Sequence, residues 1–258
     1  MDKLKKLREI LRGYGKIAIA YSGGCDSNFL MNIALDTLGK DNVYCVLVNG
    51  AMLSKEDLEM AKVYLKDIKH KILEVDVFEV EAFRYNYKDR CYYCKKNIMS
   101  HVIEEANKEG FIYVCDGKNL DDGGVYRPGM KACEELGILS PIYDAGMTKS
   151  EVRAYSKECG IITYNKPANA CLATRFDYNT ELTPELLKQT DQAEALFHAL
   201  GINHMRVRKQ GDLARIEVER KDFDKVIAHS ELIEELKKLG YRFITLDLEG
   251  IKSGSYDK

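Results

Sequence analysis

The sequence predicts an α/β fold, a parallel sheet flanked by helices, followed by a small C-terminal α+β domain. Over the first two thirds of the chain, short apolar runs alternate with amphipathic helical segments, a pattern typical of βαβ units. The first apolar run ends in a glycine-rich turn that leads directly into a helical segment. The last third instead alternates apolar and polar residues around a Gln-Gly-Asp turn, as expected for a hairpin. We therefore predict one domain over residues 1–180 and a second over residues 181–258.

The first domain owes its predicted strands and helices to the spacing of apolar residues. Runs short enough for buried strands cover residues 17–21, 43–49, 71–75, 111–115 and 138–142. Helical spacing covers residues 26–38, 55–68, 91–107 and 149–159. The last of these helices opens with Thr148-Lys149-Ser150-Glu151, in which threonine and glutamate can cap each other's backbone amides.

The second domain is predicted to open with a helix from Pro184 to about residue 200, because proline is favoured at the first helical position. Residues 204–208 and 213–219 then form the hairpin. A helix over residues 222–239 and a strand over residues 243–248 complete the domain. Its fold is predicted to serve substrate binding or oligomerisation.

Composition excludes several classes of protein. The 258 residues are 45% hydrophobic and 31% charged with a net charge of −2, an ordinary globular composition. The flat charge balance argues against general nucleic-acid binding, which usually needs a basic excess. No run of 18 apolar residues is present, so no membrane-spanning helix is predicted. The charged N-terminal segment does not resemble a secretory signal, and we expect a cytoplasmic protein.

The strongest motif is Ser-Gly-Gly-Cys-Asp-Ser at residues 22–27, between a strand and a helix. The glycines permit a tight turn, and amides and hydroxyls at the start of a helix attract an anion. The acidic residue would repel a bare phosphate but suits Mg²⁺ beside it. The sequence lacks the Walker lysine and the dinucleotide-binding glycine spacing. A plain strand-to-helix turn with a serine cap is the simpler interpretation, and it does not explain the whole string. The residues predicted to bind the phosphates are Ser22, Gly23, Gly24, Asp26 and Ser27. Asp26 is also predicted to hold Mg²⁺. Cys25 is expected only to fill space in the loop.

This string resembles the SGGxDS loop of the N-type ATP pyrophosphatases, which include GMP synthetase, NAD synthetase, asparagine synthetase and tRNA thiolases. The resemblance implies that ATP is cleaved between the α and β phosphates, that the substrate is adenylated and that pyrophosphate is released. It would give Asp26 a catalytic role. Adenylation suits a substrate with a carboxylate or amide oxygen. That oxygen is a poor leaving group by itself, and its attachment to AMP makes it a good one.

Three more stretches narrow the resemblance: residues 116–129, the string Pro-Ala-Asn-Ala-Cys-Leu-Ala-Thr-Arg ending at Arg175, and residues 206–218. Together they are similar to the ATP-dependent sulfur transferases of nickel-pincer cofactor biosynthesis. The resemblance implies a homo-oligomer acting on pyridinium-3,5-biscarboxylic acid mononucleotide, whose adenylated carboxylate becomes a thiocarboxylate. Gly117 and Arg127 are predicted to help to bind ATP. Arg127 and Asp121 have the support of the motif, but no specific role for either follows from the residues.

Three cysteines, Cys91, Cys94 and Cys171, indicate where the transferred sulfur comes from. Cys171 matches the sulfur-bearing cysteine of the family, which in one branch is consumed and becomes dehydroalanine. This chain adds Cys91 and Cys94, and three thiolates suit a [4Fe–4S] cluster with one open iron. That arrangement resembles the cluster-dependent branch, in which sulfide from an external donor would be the nucleophile. The ligand count favours the cluster over sacrificial use of Cys171.

The Cys-x-x-Cys pair has other interpretations. It could be a zinc half-site completed by a residue such as His101, a redox pair or two unrelated thiols. Cys45 and Cys115 stand inside apolar runs and are expected to be buried hydrophobic residues.

Arg206, Arg208 and Arg215 are the predicted substrate-binding residues. Alternation puts the first two on one strand face, and the hairpin could bring the third beside them. Guanidinium groups suit a substrate that carries phosphate and carboxylates, although solvated strand arginines are commoner. Four other functions stay open: the same reaction with a sacrificial cysteine, a tRNA thiolase, an amide-forming ligase and a non-catalytic ATP-binding regulator.

Overall fold

The computed structural model describes residues 2–124, 128–167 and 170–252. Two compact units can be distinguished, the first comprising Met1–Gly50, Asp57–Val80 and Asp89–Asn169, and the second Ala51–Glu56, Glu81–Lys88 and Ala170–Lys258. The functional division predicted at residue 180 stays a prediction. Within the described residues, no helix is both long enough and apolar enough to cross a membrane.

The helices and strands are numbered separately in chain order. The helices are α1 (Lys3–Tyr14), α2 (Cys25–Leu38), α3 (Lys55–Leu65), α4 (Glu81–Arg84), α5 (Arg90–Lys108), α6 (Pro128–Glu135), α7 (Pro141–Asp144), α8 (Lys149–Glu158), α9 (Pro184–Ala199), α10 (Phe223–Ala228) and α11 (Glu231–Lys238). The strands are β1 (Ile17–Tyr21), β2 (Val43–Asn49), β3 (His70–Glu74), β4 (Tyr113–Cys115), β5 (Met205–Gln210), β6 (Leu213–Val218) and β7 (Phe243–Leu246).

The first unit is built on a four-stranded parallel sheet in the order β3-β2-β1-β4. The chain moves outward from β1 to β3 and then returns to the other side of β1. Ligands of such sheets bind where the strand order reverses, which here is the carboxyl end of β1 and β4. Strands β1 and β2 are almost wholly buried because helices cover them, and α2 is itself buried on most of its surface. The predicted parallel α/β fold is confirmed.

Two predicted elements differ in the structure. The apolar run at residues 138–142 forms only a single bridge between Leu139 and Cys115, because Pro141 lacks an amide hydrogen and begins α7 instead. The helix predicted over residues 222–239 is two helices, α10 and α11, since the backbone leaves helical geometry at His229 (φ −102°, ψ 69°). Neither glycine nor proline marks that break in the sequence.

The second unit contains the predicted hairpin. Strands β5 and β6 are antiparallel with Gln210 opposite Leu213, which leaves a two-residue turn, and Gly211 adopts φ +57° there. Strand β7 adds in parallel to β6. Helices α9 and α11 supply Phe197 and Leu236 to a core that includes Val207 and is sealed from solvent. This mixed sheet confirms the small C-terminal α+β fold.

Candidate functional site

The glycine-rich turn after β1 has the geometry of an anion site. Gly23 has φ +69°, and a Cβ there would lie 2.9 Å from the Cβ of Ala61, so only glycine fits. The hydroxyls of Ser22 and Ser27 are 3.1 Å apart. Helix α2 begins after Gly24 with no side-chain cap among the described residues. The first amides of α2 are therefore available to a phosphate, with the positive end of the helix behind them.

Gly117 lies against this turn. Gly117 follows β4, the neighbour of β1. Because glycine has no side chain, its backbone can lie close to Asp26 and Ser27. A Cβ at Gly117 would lie 3.0 Å from the backbone nitrogen of Ser27 and 3.1 Å from the Cβ of Asp26. The structure thus brings a predicted ATP-binding glycine to the loop at the reversal point of the sheet. Arg127, also predicted to bind ATP, lies outside the described residues.

Asp26 has one oxygen engaged and one without a partner. Its Oδ2 accepts a hydrogen bond from the Lys149 ammonium at 2.5 Å. Its Oδ1 is buried and has no hydrogen-bond partner among the described residues. A buried carboxylate oxygen at a phosphate site is a suitable ligand for Mg²⁺, which prefers oxygen donors. The residue present therefore fits the predicted cation.

Two lysines beside the loop were not singled out from the sequence. Lys149 begins α8, and its backbone amide donates to Asp121 at 2.8 Å, which gives Asp121 a role in fixing that helix end. Lys166 donates to the carboxylate of Asp57 at 2.8 Å and to the carbonyl of Gly23 at 3.1 Å. Both lie more than 120 residues from the loop, so local sequence patterns could not reveal them.

The cysteines of the sheet behave as predicted. Cys45 and Cys115 are wholly buried, and burial raises the pKa of both thiols. Cys25 is buried within the loop, and burial followed by the charge of Asp26 raises its pKa although Lys149 acts in the opposite direction. These thiols stay protonated at neutral pH, as expected for residues that fill space.

Cys91 and Cys94 lie at the start of α5, where Cys91 is exposed and Cys94 is buried. A Cβ at Gly129 would come within 3.3 Å of the Cys91 carbonyl oxygen, so α6 approaches this end of α5 closely. In the parts of the chain that the structure describes, no three His, Cys, Asp or Glu side chains form a metal-binding group. The three-cysteine cluster and the zinc alternative with His101 both stay predictions.

Cys171 lies half-buried in the second unit, just before a short 3-10 turn at Leu172–Arg175. Arg175 is buried, and its Nη1 donates to the carbonyl of Ala170 and the hydroxyl of Thr174, both at 2.9 Å. Its other nitrogens donate to both carboxylate oxygens of Glu194 at 2.8 and 2.9 Å. Although burial opposes its charge, Glu194 and then Cys171 raise the pKa of Arg175. A fully charged guanidinium therefore stands beside the Cys171 loop.

The three predicted substrate-binding arginines meet on one face of the hairpin. Arg208 is opposite Arg215, and Arg206 is opposite Glu217. Arg208 is buried, pairs with Glu217 at 3.1 Å and donates to the carbonyl of Thr174. Arg215 pairs with Glu217 at 3.2 Å.

Arg206 differs from its two neighbours. Its guanidinium donates to the carbonyl of Lys252, and it has no salt bridge with a described residue. Burial and then the charges of Arg208 and Arg175 lower its pKa. A half-buried cation with two other guanidinium groups near it is suited to an anionic ligand, although the carboxylates of Glu217 and Glu194 partly offset their charge.

Comparison with known proteins gives four informative similarities. A family model for NAD synthase matches residues 4–107. Pyridinium-3,5-bisthiocarboxylic acid mononucleotide synthase of Lactiplantibacillus plantarum is 34% identical over 95% of this chain and 90% of its own length. An uncharacterized protein of Synechocystis is 35% identical over 100% of this chain and 97% of its own. A glutamine-hydrolyzing GMP synthase of Thermoplasma volcanium contributes a subunit that is 27% identical over 64% of this chain and 59% of its own.

The nucleotide loop and near full-length similarity agree with the resemblance inferred from the motifs. The family model matches a region that contains the phosphate loop, whereas the mononucleotide synthase matches 95% of the chain and therefore both units. The chain belongs to the family of the pyridinium-3,5-bisthiocarboxylic acid mononucleotide synthases and is an ATP-dependent sulfurtransferase of the N-type ATP pyrophosphatase superfamily.

Proposed function

We propose that the protein converts a carboxylate of pyridinium-3,5-biscarboxylic acid mononucleotide into a thiocarboxylate at the expense of ATP. The observation that carries this proposal is the phosphate loop with its unpartnered Asp26 oxygen, in a chain related over almost its whole length to a synthase of the bisthiocarboxylic product.

The first half of the reaction is adenylation. A carboxylate oxygen of the substrate attacks the α-phosphorus of ATP, the bond to the β-phosphate breaks, and pyrophosphate leaves. In our proposal Ser22, Ser27 and the first amides of α2 hold the phosphates. Asp26 would hold Mg²⁺, which supplies positive charge to the departing pyrophosphate. Lys149 and Lys166 lie at the loop and add further positive charge.

The second half transfers sulfur. A sulfur nucleophile attacks the carbonyl carbon of the acyl adenylate, the bond to AMP breaks, and a thiocarboxylate remains. We propose that Cys91, Cys94 and Cys171 hold a [4Fe–4S] cluster, which when bound would supply sulfide from an open iron. Support comes from two thiols one helical turn apart and from a third that is half-exposed. The protein's own contribution would be to present these thiolates and to survive each turnover intact.

Arg206 is the proposed anchor of the substrate phosphate, because its charge has no salt bridge with a described residue. Arg208 and Arg215 contribute to the same face while paired with Glu217.

We further propose that the enzyme works in the cytoplasm as a homo-oligomer with an external sulfide donor, as the composition and the family resemblance support.

The test is anaerobic turnover with ATP, Mg²⁺, inorganic sulfide and pyridinium-3,5-biscarboxylic acid mononucleotide. We expect AMP, pyrophosphate and a thiocarboxylate identified by mass spectrometry, with about four irons per chain in the purified protein. Cys171→Ser should lose thiocarboxylate formation. The matched control Cys159→Ser, which changes an exposed thiol, should keep it.

Other results would select the alternatives. Protein without iron that loses one H₂S from Cys171 in each turnover would replace the cluster with sacrificial use of that cysteine. Sulfur found in tRNA and not in the mononucleotide would make the protein a tRNA thiolase. ATP binding without pyrophosphate release would reduce it to a regulator.

A further inference from the structure

The Cys171 loop is held from several directions within the second unit. The carbonyl of Cys171 accepts hydrogen bonds from the amide and hydroxyl of Thr174 at 2.9 and 2.8 Å and from Arg175 at 3.4 Å. The amide of Leu172 donates to the carbonyl of Met52 at 3.0 Å. Backbone groups on both sides of the thiol are therefore engaged, so the loop has few alternative conformations.

Arg175 connects this loop to the rest of the unit through Glu194. The carboxylate of Glu194 accepts two hydrogen bonds from Arg175, and one of its oxygens also accepts from the backbone amide of Val207 at 2.9 Å. A continuous path of hydrogen bonds thus runs from strand β5 through helix α9 and Arg175 to the backbone of Cys171. Arg206, the proposed substrate anchor, is the residue before Val207 on that strand.

Stability alone does not account for this buried pair. The side chains of Arg175 and Glu194 are 4% and 5% exposed. Removing two charges from water costs several kcal/mol per ion, and apolar residues of similar volume often serve folding as well. The pair instead offers fixed geometry, because a guanidinium fork and a carboxylate allow essentially one arrangement.

We propose that Arg175 is a positioning residue that, through Glu194, fixes Cys171 relative to strand β5 so that sulfur meets the acyl adenylate. This inference rests on the proposed function, since the position of Cys171 matters to the reaction only if its thiolate helps to hold the cluster that would supply sulfide. Adenylation depends on the phosphate loop of the first unit and on substrate binding at Arg206, whereas Arg175 donates its hydrogen bonds to Glu194 and to the Cys171 loop. Loss of Arg175 should therefore uncouple the two halves of the reaction.

The experiment compares wild-type enzyme with Arg175→Lys, which keeps the charge but cannot bridge Glu194 and the loop with several nitrogens. Substrate-dependent pyrophosphate release should change by less than about twofold, because the phosphate loop is intact. Thiocarboxylate formation should fall by about 10²-fold, the usual effect of a small misplacement of a reacting group. The ratio of pyrophosphate to thiocarboxylate, near one in the wild type, should rise accordingly as the adenylate is lost to water.

Hydrogen exchange gives a readout that does not depend on turnover. The amides of Leu172 and Thr174 should exchange faster in Arg175→Lys, while amides of strand β1 keep their protection. If Arg175→Lys folds poorly, the double variant Arg175→Met with Glu194→Gln removes both buried charges and leaves an amide oxygen for Val207. Arg242→Gln, at an exposed arginine of the same unit, is the matched control and should leave ratio and exchange unchanged.

A ratio that stays near one in both variants, or two half-reactions that fall in parallel, would overturn the positioning role. Unchanged exchange at Leu172 and Thr174 would do the same. A wild-type enzyme that makes no thiocarboxylate would reject the proposed function instead, and the exchange rates would still decide whether Arg175 orders the loop.

Discussion

The phosphate loop and the Cys171 loop are held in opposite ways. The first is shaped by neighbours in sequence, since Ser22, Gly24 and Ser27 bond to one another and the glycines permit the turn. The second is held by charged side chains from distant helices and strands. The loop's ion pair of Asp26 and Lys149 is 23% and 28% exposed, whereas the pair of Arg175 and Glu194 is almost wholly buried.

The difference teaches how each region can respond. A partly exposed ion pair exchanges partners at low cost, because water screens the charges and can replace one of them. A buried bidentate pair cannot be opened without leaving an uncompensated charge in an apolar environment. The ion pair at the phosphate loop can therefore change partners, whereas the buried pair keeps the Cys171 loop in one arrangement.

The largest expected effect is a loss of pyrophosphate release when the phosphate loop is changed. Asp26→Ala should reduce pyrophosphate release about 10³-fold, because the carboxylate predicted to hold Mg²⁺ is gone. The measurement is pyrophosphate release with the mononucleotide substrate. Asp36→Ala, on the same helix at a largely exposed carboxylate, should keep wild-type activity. Full activity in Asp26→Ala would reject the phosphate-site assignment.

The next effect concerns the stability of the second unit. Glu217→Gln should lower the free energy of unfolding by about 3 kcal/mol, because the buried guanidinium of Arg208 loses its carboxylate. Denaturant unfolding measures the difference. Glu234→Gln breaks an exposed pair with Lys237 in the same unit and should change little. Equal effects of the two substitutions would mean that burial does not distinguish these pairs.

A smaller effect is expected from Gly117→Ala, which should weaken ATP binding without removing any side chain that binds the nucleotide. Gly117→Ala places a methyl group about 3 Å from the backbone of Ser27, so the loop after β4 must move away. We expect ATP affinity to fall about tenfold, since overpacking of this kind costs about 1–3 kcal/mol. Calorimetric titration with ATP tests this. Gly13→Ala, where a Cβ meets nothing within 4 Å, is the control, and equal affinities in both variants would contradict the close approach.

The smallest effect is a pH dependence at the start of α8, the helix that carries Lys149. The Lys3 ammonium and then the backbone of Thr148 lower the pKa of Glu151 from its ordinary 4.5 to about 2. The charged form is thus favoured in the folded state, so its stabilisation is complete above pH 4.5 and disappears as the pH falls toward 2. Glu151→Gln should cost about 0.5 kcal/mol at pH 7, a value reduced for solvent exposure.

The same substitution should cost progressively less in unfolding experiments at pH 4 and pH 3. Glu158→Gln, at the exposed end of the same helix, should show no such trend. A Glu151→Gln effect that is constant from pH 7 to pH 3 would contradict the capping arrangement.

The sequence predicts what depends on short-range geometry. The parallel sheet, the hairpin turn at Gly211 and the reciprocal cap at Thr148 follow from local patterns, and the structure confirms all three. The bridge at Leu139 and the break at His229 do not, because flanking contacts decide whether a short apolar run pairs and where a helix ends.

The charged partners of both regions were beyond prediction for a similar reason. Lys166 reaches Gly23 across 143 residues, and alternation along β5 cannot tell which arginine keeps an unpaired charge. The structure separates them through Glu217, which pairs with Arg208 and Arg215 and leaves Arg206 without a salt bridge among described residues.

The hydrogen bond from Lys149 to Asp26 means that the phosphate loop has a counterion from the protein itself. In the proposed reaction Oδ1 of Asp26 would hold magnesium, and the Lys149 ammonium would be free to turn from Oδ2 to a phosphate oxygen. Before each nucleotide binds, the negative charge of Asp26 is therefore already neutralised by the Lys149 ammonium.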